Sequence, residues 1–315
     1  MMKEKKRAKW KQFAGEFLEK GKYIMKKIKR MIVGIDIFAK SNNVLKRALM
    51  VAKENKADLF IIHAVQTPWF SVPSYFGGKE ISVDIEGITK KIEKKIKALN
   101  ADGKVAYSIL VKEGNPSDII LYESKLLKAD MIVIGANTKS KKNFLGTTAE
   151  KVAQQSHLPV LIVRNSVKDT YQNIVAPTDF QTQSKQSVLF AKNILPAAKI
   201  KAVHAYEAFY AAGIYTAGSY TMDGLDIEEY NKALKVTAEN NLKKIMKDLS
   251  IKKGKIIDGE FNSKEALLKY IKKGSYDLIV MGSRGTAGFK ALLGSMASSM
   301  LRETSTDVLI YVPVD

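Results

Sequence analysis

The chain has 315 residues, more than one average domain, and no cysteine, which excludes disulfide bridges and thiolate metal sites. Its formal net charge is +20, from 52 Lys and Arg against 32 Asp and Glu; only 6 of the 52 are Arg, so the charge suits a solvated lysine surface better than base reading, and no specific nucleic acid is expected. Apolar residues make up 46% and no apolar run is long enough for a bilayer, so a globular, cytoplasmic protein is expected.

Residues 1–25 form a basic extension: the first 30 residues hold 12 Lys and Arg and 3 Glu. Trp10, Phe13, Ala14, Phe17 and Leu18 fall at helical spacing with lysines around them. Such an amphipathic segment docks on an anionic membrane surface or a protein partner, or folds back on its own chain. Next comes MIVGIDIFAKS (31–41), a β-branched run followed by Asp36 and a polar turn ending at Ser41. A helical pattern follows through Val44, Leu45, Ala48, Leu49 and Ala52. LFIIHAV (59–65) is a predicted strand holding His63 and Ala64, and the aromatic loop TPWFSVPSYFGG (67–78) follows it. ADMIVIG (129–135) and LPVLIV (158–163) are predicted strands, with the loop GANTKSKKNFLGTT (135–148) between them.

From residue 174 the order begins again. IVAPTDFQTQS (174–184) supplies Asp179 and Ser184, and a helical pattern follows through Val188, Leu189, Ala191, Ile194 and Leu195. IKAVHAY (200–206) supplies His204 and Ala205, YEAFYAAGIYTAGSY (206–220) the long aromatic loop, and YDLIVMG (276–282) and TDVLIYV (306–312) the later strands. The offset between matching segments stays within 141 to 148 residues, which is a tandem duplication with its junction near 165–171. The expected domains are 26–166 and 172–315. Short β-branched runs alternating with helical segments give an α/β fold: two doubly wound domains, each a five-stranded, mainly parallel sheet flanked by helices. Ligands of such sheets bind beyond the carboxyl ends of the strands, where strand order reverses. The long aromatic loops suit lids over that crevice, a partner contact, or cover for the sheet end.

The loop GSRGTAGFKALLGS (282–295) places Gly282, Gly285 and Gly294–Ser295 between a strand and a helix. A helix N-terminus offers free N–H groups to a phosphate, and glycine lets the backbone approach an anion. Ser295 can cap the helix or reach a phosphate or Mg²⁺, and Arg284 and Lys290 supply countercharge. No Gly-Lys-[Ser/Thr] closes the loop, so it is not a Walker A loop. The other reading is a turn whose glycines only permit tight packing. The first copy keeps Gly135 and Gly146–Thr147, has Thr138 in place of the middle glycine, and adds Lys139, Lys141 and Lys142.

These features resemble the universal stress protein family, whose phosphate signature is Gly, two residues, Gly, nine residues, Gly, then Ser or Thr. The second copy has eight residues in the longer gap; the first has seven and one glycine fewer. The Asp closing each first strand, the His-Ala of each second strand and Pro159–Val160 add to the likeness, which spans roughly residues 26–315. The resemblance implies ATP, with Mg²⁺ near Ser295, as the ligand in the second domain. Its site residues there would be Asp179, Ala205, Gly282, Gly285, Gly294 and Ser295, beside the countercharge of Arg284. In the first domain they would be Asp36, Ala64, Gly135, Gly146 and Thr147. It also implies pairing of fifth strands, here 159–163 against 307–312 within one chain, a pseudo-dimer.

Catalysis is not legible. His63 and His204 sit at matching strand ends, where a packed, hydrogen-bonded role fits; His157 follows a helix end, where a charged ring would favour the dipole. No histidine pair has metal-ligand spacing. The expectation is a nucleotide-binding stress regulator, with two alternatives: an interaction protein that binds no nucleotide, and a weak ATPase.

Overall fold

The computed structural model describes residues 27–37, 42–66, 83–136, 145–208, 221–222, 225–259, 262–283 and 293–313. The extension 1–25, the loop 67–78 and all but the start of the loop 206–220 lie outside the described residues. The strands of the first half are β1 (Arg30–Ile35), β2 (Asp58–Val65), β3 (Tyr107–Glu113), β4 (Met131–Gly135) and β5 (Val160–Val163). Its helices are α1 (Asn42–Asn55), α2 (Ile85–Leu99), α3 (Pro116–Leu126) and α4 (Thr147–Gln155). The second half has β6 (Asn173–Pro177), β7 (Lys199–Tyr206), β8 (Thr221–Met222), β9 (Leu225–Asp226), β10 (Lys253–Asp258), β11 (Leu278–Gly282) and β12 (Asp307–Tyr311). Its helices are α5 (Thr182–Ile194), α6 (Ile227–Asp248), α7 (Ser263–Lys273) and α8 (Ser295–Glu303). Among the described residues, only the short antiparallel pair β8–β9 lies outside the repeating order.

Ten strands form one sheet in the order β10-β7-β6-β11-β12-β5-β4-β1-β2-β3. Each half is parallel within itself, as right-handed strand–helix–strand crossovers require. The halves meet where β5 and β12 run antiparallel, with Val308 opposite Ile162 and Ile310 opposite Val160. Strand side chains alternate between two cores. Met31, Val33, Met131, Val133, Leu161, Leu278, Val280 and Leu309 join one core, on which α1, α2 and α5 pack. Ile32, Ile132, Ile134, Ile162, Ile279, Val308 and Ile310 join the other, with α4, α7 and α8. Both cores run across the seam, so the two halves share their buried interior. A smaller cluster under α6 holds Leu242 and Ile245 against Ala176 and Ala202.

Strand order reverses at two places: β1 lies between β2 and β4, and β6 between β7 and β11. The loops after β1 and β4 therefore face one crevice, and those after β6 and β11 another. Because the strands of the two halves run oppositely at the seam, these crevices open at opposite ends of the sheet.

Candidate functional site

In the second half, β6 ends at Pro177 and the chain turns through Thr178, Asp179 and Phe180 into α5. The turn is built by side chains. Asp179 Oδ1 accepts from the Gln181 N–H at 3.0 Å, and Thr178 Oγ1 accepts from the Phe180 N–H at 3.0 Å. Thr178 and Ser184 hydroxyls also bond to each other at 3.0 Å. Phe180 takes φ +64°, a left-handed conformation costly for an aromatic residue. Its ring lies 4.1 Å, centroid to centroid, from His204, and this contact holds it there. His204 Nδ1 meets the Thr178 carbonyl oxygen at 2.7 Å; as that oxygen only accepts, Nδ1 carries the proton. Burial pushes the His204 pKa down, against the Thr178 hydrogen bond and Asp179, so the ring is neutral at pH 7. His63 repeats the contact in the first half, with Nδ1 3.1 Å from the Ile35 carbonyl oxygen. Both histidines thus tie the second strand of their half to the residue preceding Asp36 or Asp179. His157 differs from the expectation of a charged ring at a helix end: burial, then Lys125, lowers its pKa and favours the neutral form.

The glycines divide into two kinds. A Cβ on Gly282 would lie 2.9 Å from the carbonyl carbon and oxygen of Gln183 and 3.0 Å from its Cβ. Gly282 is bare because the first turn of α5 rests on it. Gly135 stands in the same relation to α1, with Val44 Cγ2 3.0 Å from where its Cβ would be. These two glycines therefore have a packing role whatever binds nearby. Gly294 and Gly146 are different. Each is the N-cap of its helix in extended conformation, and neither α8 nor α4 receives a side-chain cap. By contrast, α3 is capped by Asn115 and α7 by Asn262. In α8 the first internal bond runs from the Ser298 N–H to the Gly294 carbonyl at 2.8 Å, so the amides of residues 295–297 have no partner within the helix. The corresponding bond in α4 joins Glu150 N–H to Gly146 at 2.9 Å. Ser295 and Thr147 are the exposed first residues of these helices.

One residue at this edge was not singled out by its sequence. Ser283 N–H donates to the Tyr311 carbonyl at 2.8 Å, as Ala136 N–H does to Val163 at 2.9 Å, so the two residues are equivalent. Ala136 brings no polar side chain. Ser283 is 3% exposed and its hydroxyl has no hydrogen-bond partner among the described residues. A buried hydroxyl without a partner is costly unless something supplies one. Its signal was one Ala-to-Ser difference between copies beside a conspicuous glycine.

Asp179 is exposed and Asp36 half-buried at the ends of their strands, and Ala205 and Ala64 lie in β7 and β2 beside them. Arg284, Gly285, Lys290, Thr138, Lys139, Lys141 and Lys142 lie outside the described residues. Beyond Ala205, Glu207 Oε1 accepts from the Ser263 N–H at 3.1 Å and its hydroxyl at 2.8 Å, closing that side of the edge. Those bonds lower the Glu207 pKa. Among the described residues no group of three or more His, Asp or Glu can hold a metal ion. No described helix is long and apolar enough to cross a membrane.

A tandem, doubly wound sheet whose switch-point helices start bare on glycine defines an α/β protein of two repeated domains. The family model of the universal stress protein family matches residues 27–164 and again 170–312, and the chain belongs to this family. It is 29% identical over 155 residues to a universal stress protein of Methanocaldococcus jannaschii, covering 48% of this chain and 89% of that protein. It is 32% identical over 146 residues to universal stress protein YxiE of Bacillus subtilis, covering 43% and 98%. Among solved structures, a universal stress protein from Archaeoglobus fulgidus superposes with a TM-score of 0.61 at 19% identity, covering 90% of this chain and 97% of that one. A functionally unknown protein from Pseudomonas aeruginosa gives 0.67 at 15% identity, covering 91% and 93%. At these identities the structural likeness concerns the fold.

Proposed function

We propose that the second domain binds ATP or a related nucleotide at the edge formed by Asp179, Ala205, Ser283, Gly294 and Ser295, and that the chain acts as a nucleotide-dependent stress regulator. The observation that carries this reading is the bare start of α8 beside the buried, unpartnered Ser283 hydroxyl. The residues suit the ligand. The amides of 295–297 present donors and the positive end of a helix dipole to a phosphate. The Ser295 hydroxyl is placed for a phosphate or its Mg²⁺. The Asp179 carboxylate, fixed by Gln181 N–H, has acceptor capacity left for a ribose or an adenine amine. Four or five charge-assisted hydrogen bonds at about 1.5–3 kcal/mol each, less the ordering cost, reach the roughly 8 kcal/mol of a micromolar complex. In the first domain, Asp36, Ala64, Gly135, Gly146 and Thr147 form a weaker counterpart, since Ala136 lacks the hydroxyl. The two domains work as an internal pseudo-dimer through β5 and β12. Residues 1–24 dock on an anionic membrane surface, a step that liposome flotation of the chain with and without them tests.

Gly294→Asp separates this reading from a purely structural one. Gly294 has φ −63° and ψ 157°, open to any residue, and an aspartate there caps α8. The carboxylate would also occupy the place of the bound anion. The expected result is a stability change of no more than about a few tenths of a kcal/mol with loss of ATP–Mg²⁺ binding in calorimetric titration. Saturable binding unchanged in Gly294→Asp would put the ligand elsewhere. A second reading, an interaction protein without nucleotide, is favoured by the packing role of Gly282. Absence of any ATP heat in the wild-type chain would select it. A weak ATPase would show phosphate release with Mg²⁺.

A further inference from the structure

The ten-stranded sheet ends on two edges, β3 and β10. An edge strand offers unpaired N–H and C=O groups to any extended chain, and proteins blunt such edges with charge, above all lysine. The two edges occupy equivalent places, because Glu113 pairs with Val65 at the end of β3 as Asp258 pairs with Tyr206 at the end of β10. On that alignment Lys253 and Lys255 of β10 correspond to Ser108 and Leu110 of β3. Lys253 and Lys255 are exposed, with Gly254 between them, and neither has a carboxylate within 4.0 Å among the described ion pairs. The β10 edge is guarded. β3 carries no charge from Tyr107 to Val111, five successive residues that are all at least partly exposed. The helices of this half also expose apolar side chains. Ile85 on α2 is 42% exposed, and Tyr122 and Leu126 on α3 are 63% and 60% exposed. α3 is joined to β3 by the Lys112–Glu123 ion pair. Three of the five large apolar side chains that the described residues leave in solvent thus sit on these two helices, and the other two, Tyr230 and Val236, on α6 beside β10.

We propose that β3 is a dimerisation edge, at which a second copy of this chain adds its own β3 antiparallel and joins two ten-stranded sheets into one. The strand is self-complementary in this arrangement. Centred on Ile109, the pairing sets Ile109 against its own copy, Ser108 against Leu110 and Tyr107 against Val111. No like charges oppose each other, and the β-branched and aromatic residues favour cross-strand contact. The chain already uses antiparallel strand pairing at β5–β12 to join its halves. The lysines of β10 explain why assembly stops at two. A twofold β3–β3 contact closes on itself, whereas β3–β10 contacts would repeat without end, and an incoming strand at β10 would have to strip water from two ammonium groups.

Sedimentation velocity on the full chain, from about 1 µM to about 100 µM, tests this directly. The expected result is a monomer–dimer equilibrium, with amide exchange at residues 107–111 slowing as the dimer forms. Ser108→Lys/Leu110→Lys transfers the guard of β10 onto β3 and is expected to give monomer throughout. Ser108→Lys alone, at an exposed position whose equivalent already holds lysine, serves as the variant that keeps the fold, with at least tenfold weaker association. Lys253→Ser/Lys255→Leu opens the second edge and is expected to yield assemblies larger than dimers. A wild-type chain that stays monomeric over the whole range overturns the proposal. So does a dimer whose association and exchange at 107–111 are the same in Ser108→Lys.

Discussion

The seam between the halves has two pseudo-equivalent sides of opposite chemistry. On one, Arg47 of α1 is 5% exposed and lies 3.7 Å from the fully buried Asp307. Its guanidinium stacks 3.7 Å from the Tyr171 ring centroid, and Nη1 donates to the Asp169 carbonyl at 2.9 Å. Asp307 accepts from the Tyr171 hydroxyl at 2.6 Å and from the backbone of Arg164 and Asn165 at 2.7 and 3.0 Å. On the other side, Phe190 of α5 takes the place of Arg47 and packs 5.3 Å from Tyr311. Register places Pro159 opposite Tyr311, where the first side has Val163 opposite Asp307. The difference follows from the linker. Residues 164–171 run past only one side of the seam, and their backbone groups and Tyr171 need a buried acceptor there. Asp307 supplies it, and Arg47 offsets its charge. The side without a linker is filled by rings.

Substitutions on the two sides should therefore differ in cost. Arg47→Leu leaves a buried carboxylate without its countercharge, and a loss of about 3–5 kcal/mol is expected in urea denaturation. Tyr171→Phe removes one short bond to that carboxylate and should cost about 2 kcal/mol. Phe190→Leu keeps most of the apolar volume and should cost about 1 kcal/mol. Equal losses for Arg47→Leu and Phe190→Leu would mean that the ionic side is no more than another patch of packing.

The same contrast shows what a sequence reveals. The duplication, the strand ends at Asp36 and Asp179, and the glycine starts of α4 and α8 were legible because each depends on local periodicity or on one residue type at one turn. The buried cluster was not. Arg47 lies in a helix that also carries Lys46 and Lys53, and nothing within a helical turn marks it as buried; its partner is 260 positions away. Phe180 was hidden for the same reason, since its left-handed backbone depends on His204 in the next strand. Gly282 was legible as a required glycine but not in its cause, which is the approach of α5. Ser283 stands out only once its burial is known.

The smallest effect discriminates most finely between the roles of Asp307. Burial raises its pKa; the Tyr171 hydroxyl, the two backbone N–H groups and Arg47 pull it down without cancelling the rise. The folded chain therefore binds this proton at a higher pH than the unfolded chain, whose carboxylate titrates near 3.9. As pH falls through the raised folded value toward about 4, the folded state holds more protons and stability grows. His204 acts with the opposite sign: its folded pKa is depressed, so it removes stability as pH falls below about 6.5. A comparison with Asp307→Asn isolates the carboxylate, because His204 is common to both chains. The gap in unfolding free energy between wild type and Asp307→Asn should widen from pH 7 to pH 4. A gap that narrows instead would mean that Arg47 governs the carboxylate, and that this side of the seam is a salt bridge first and a linker acceptor second.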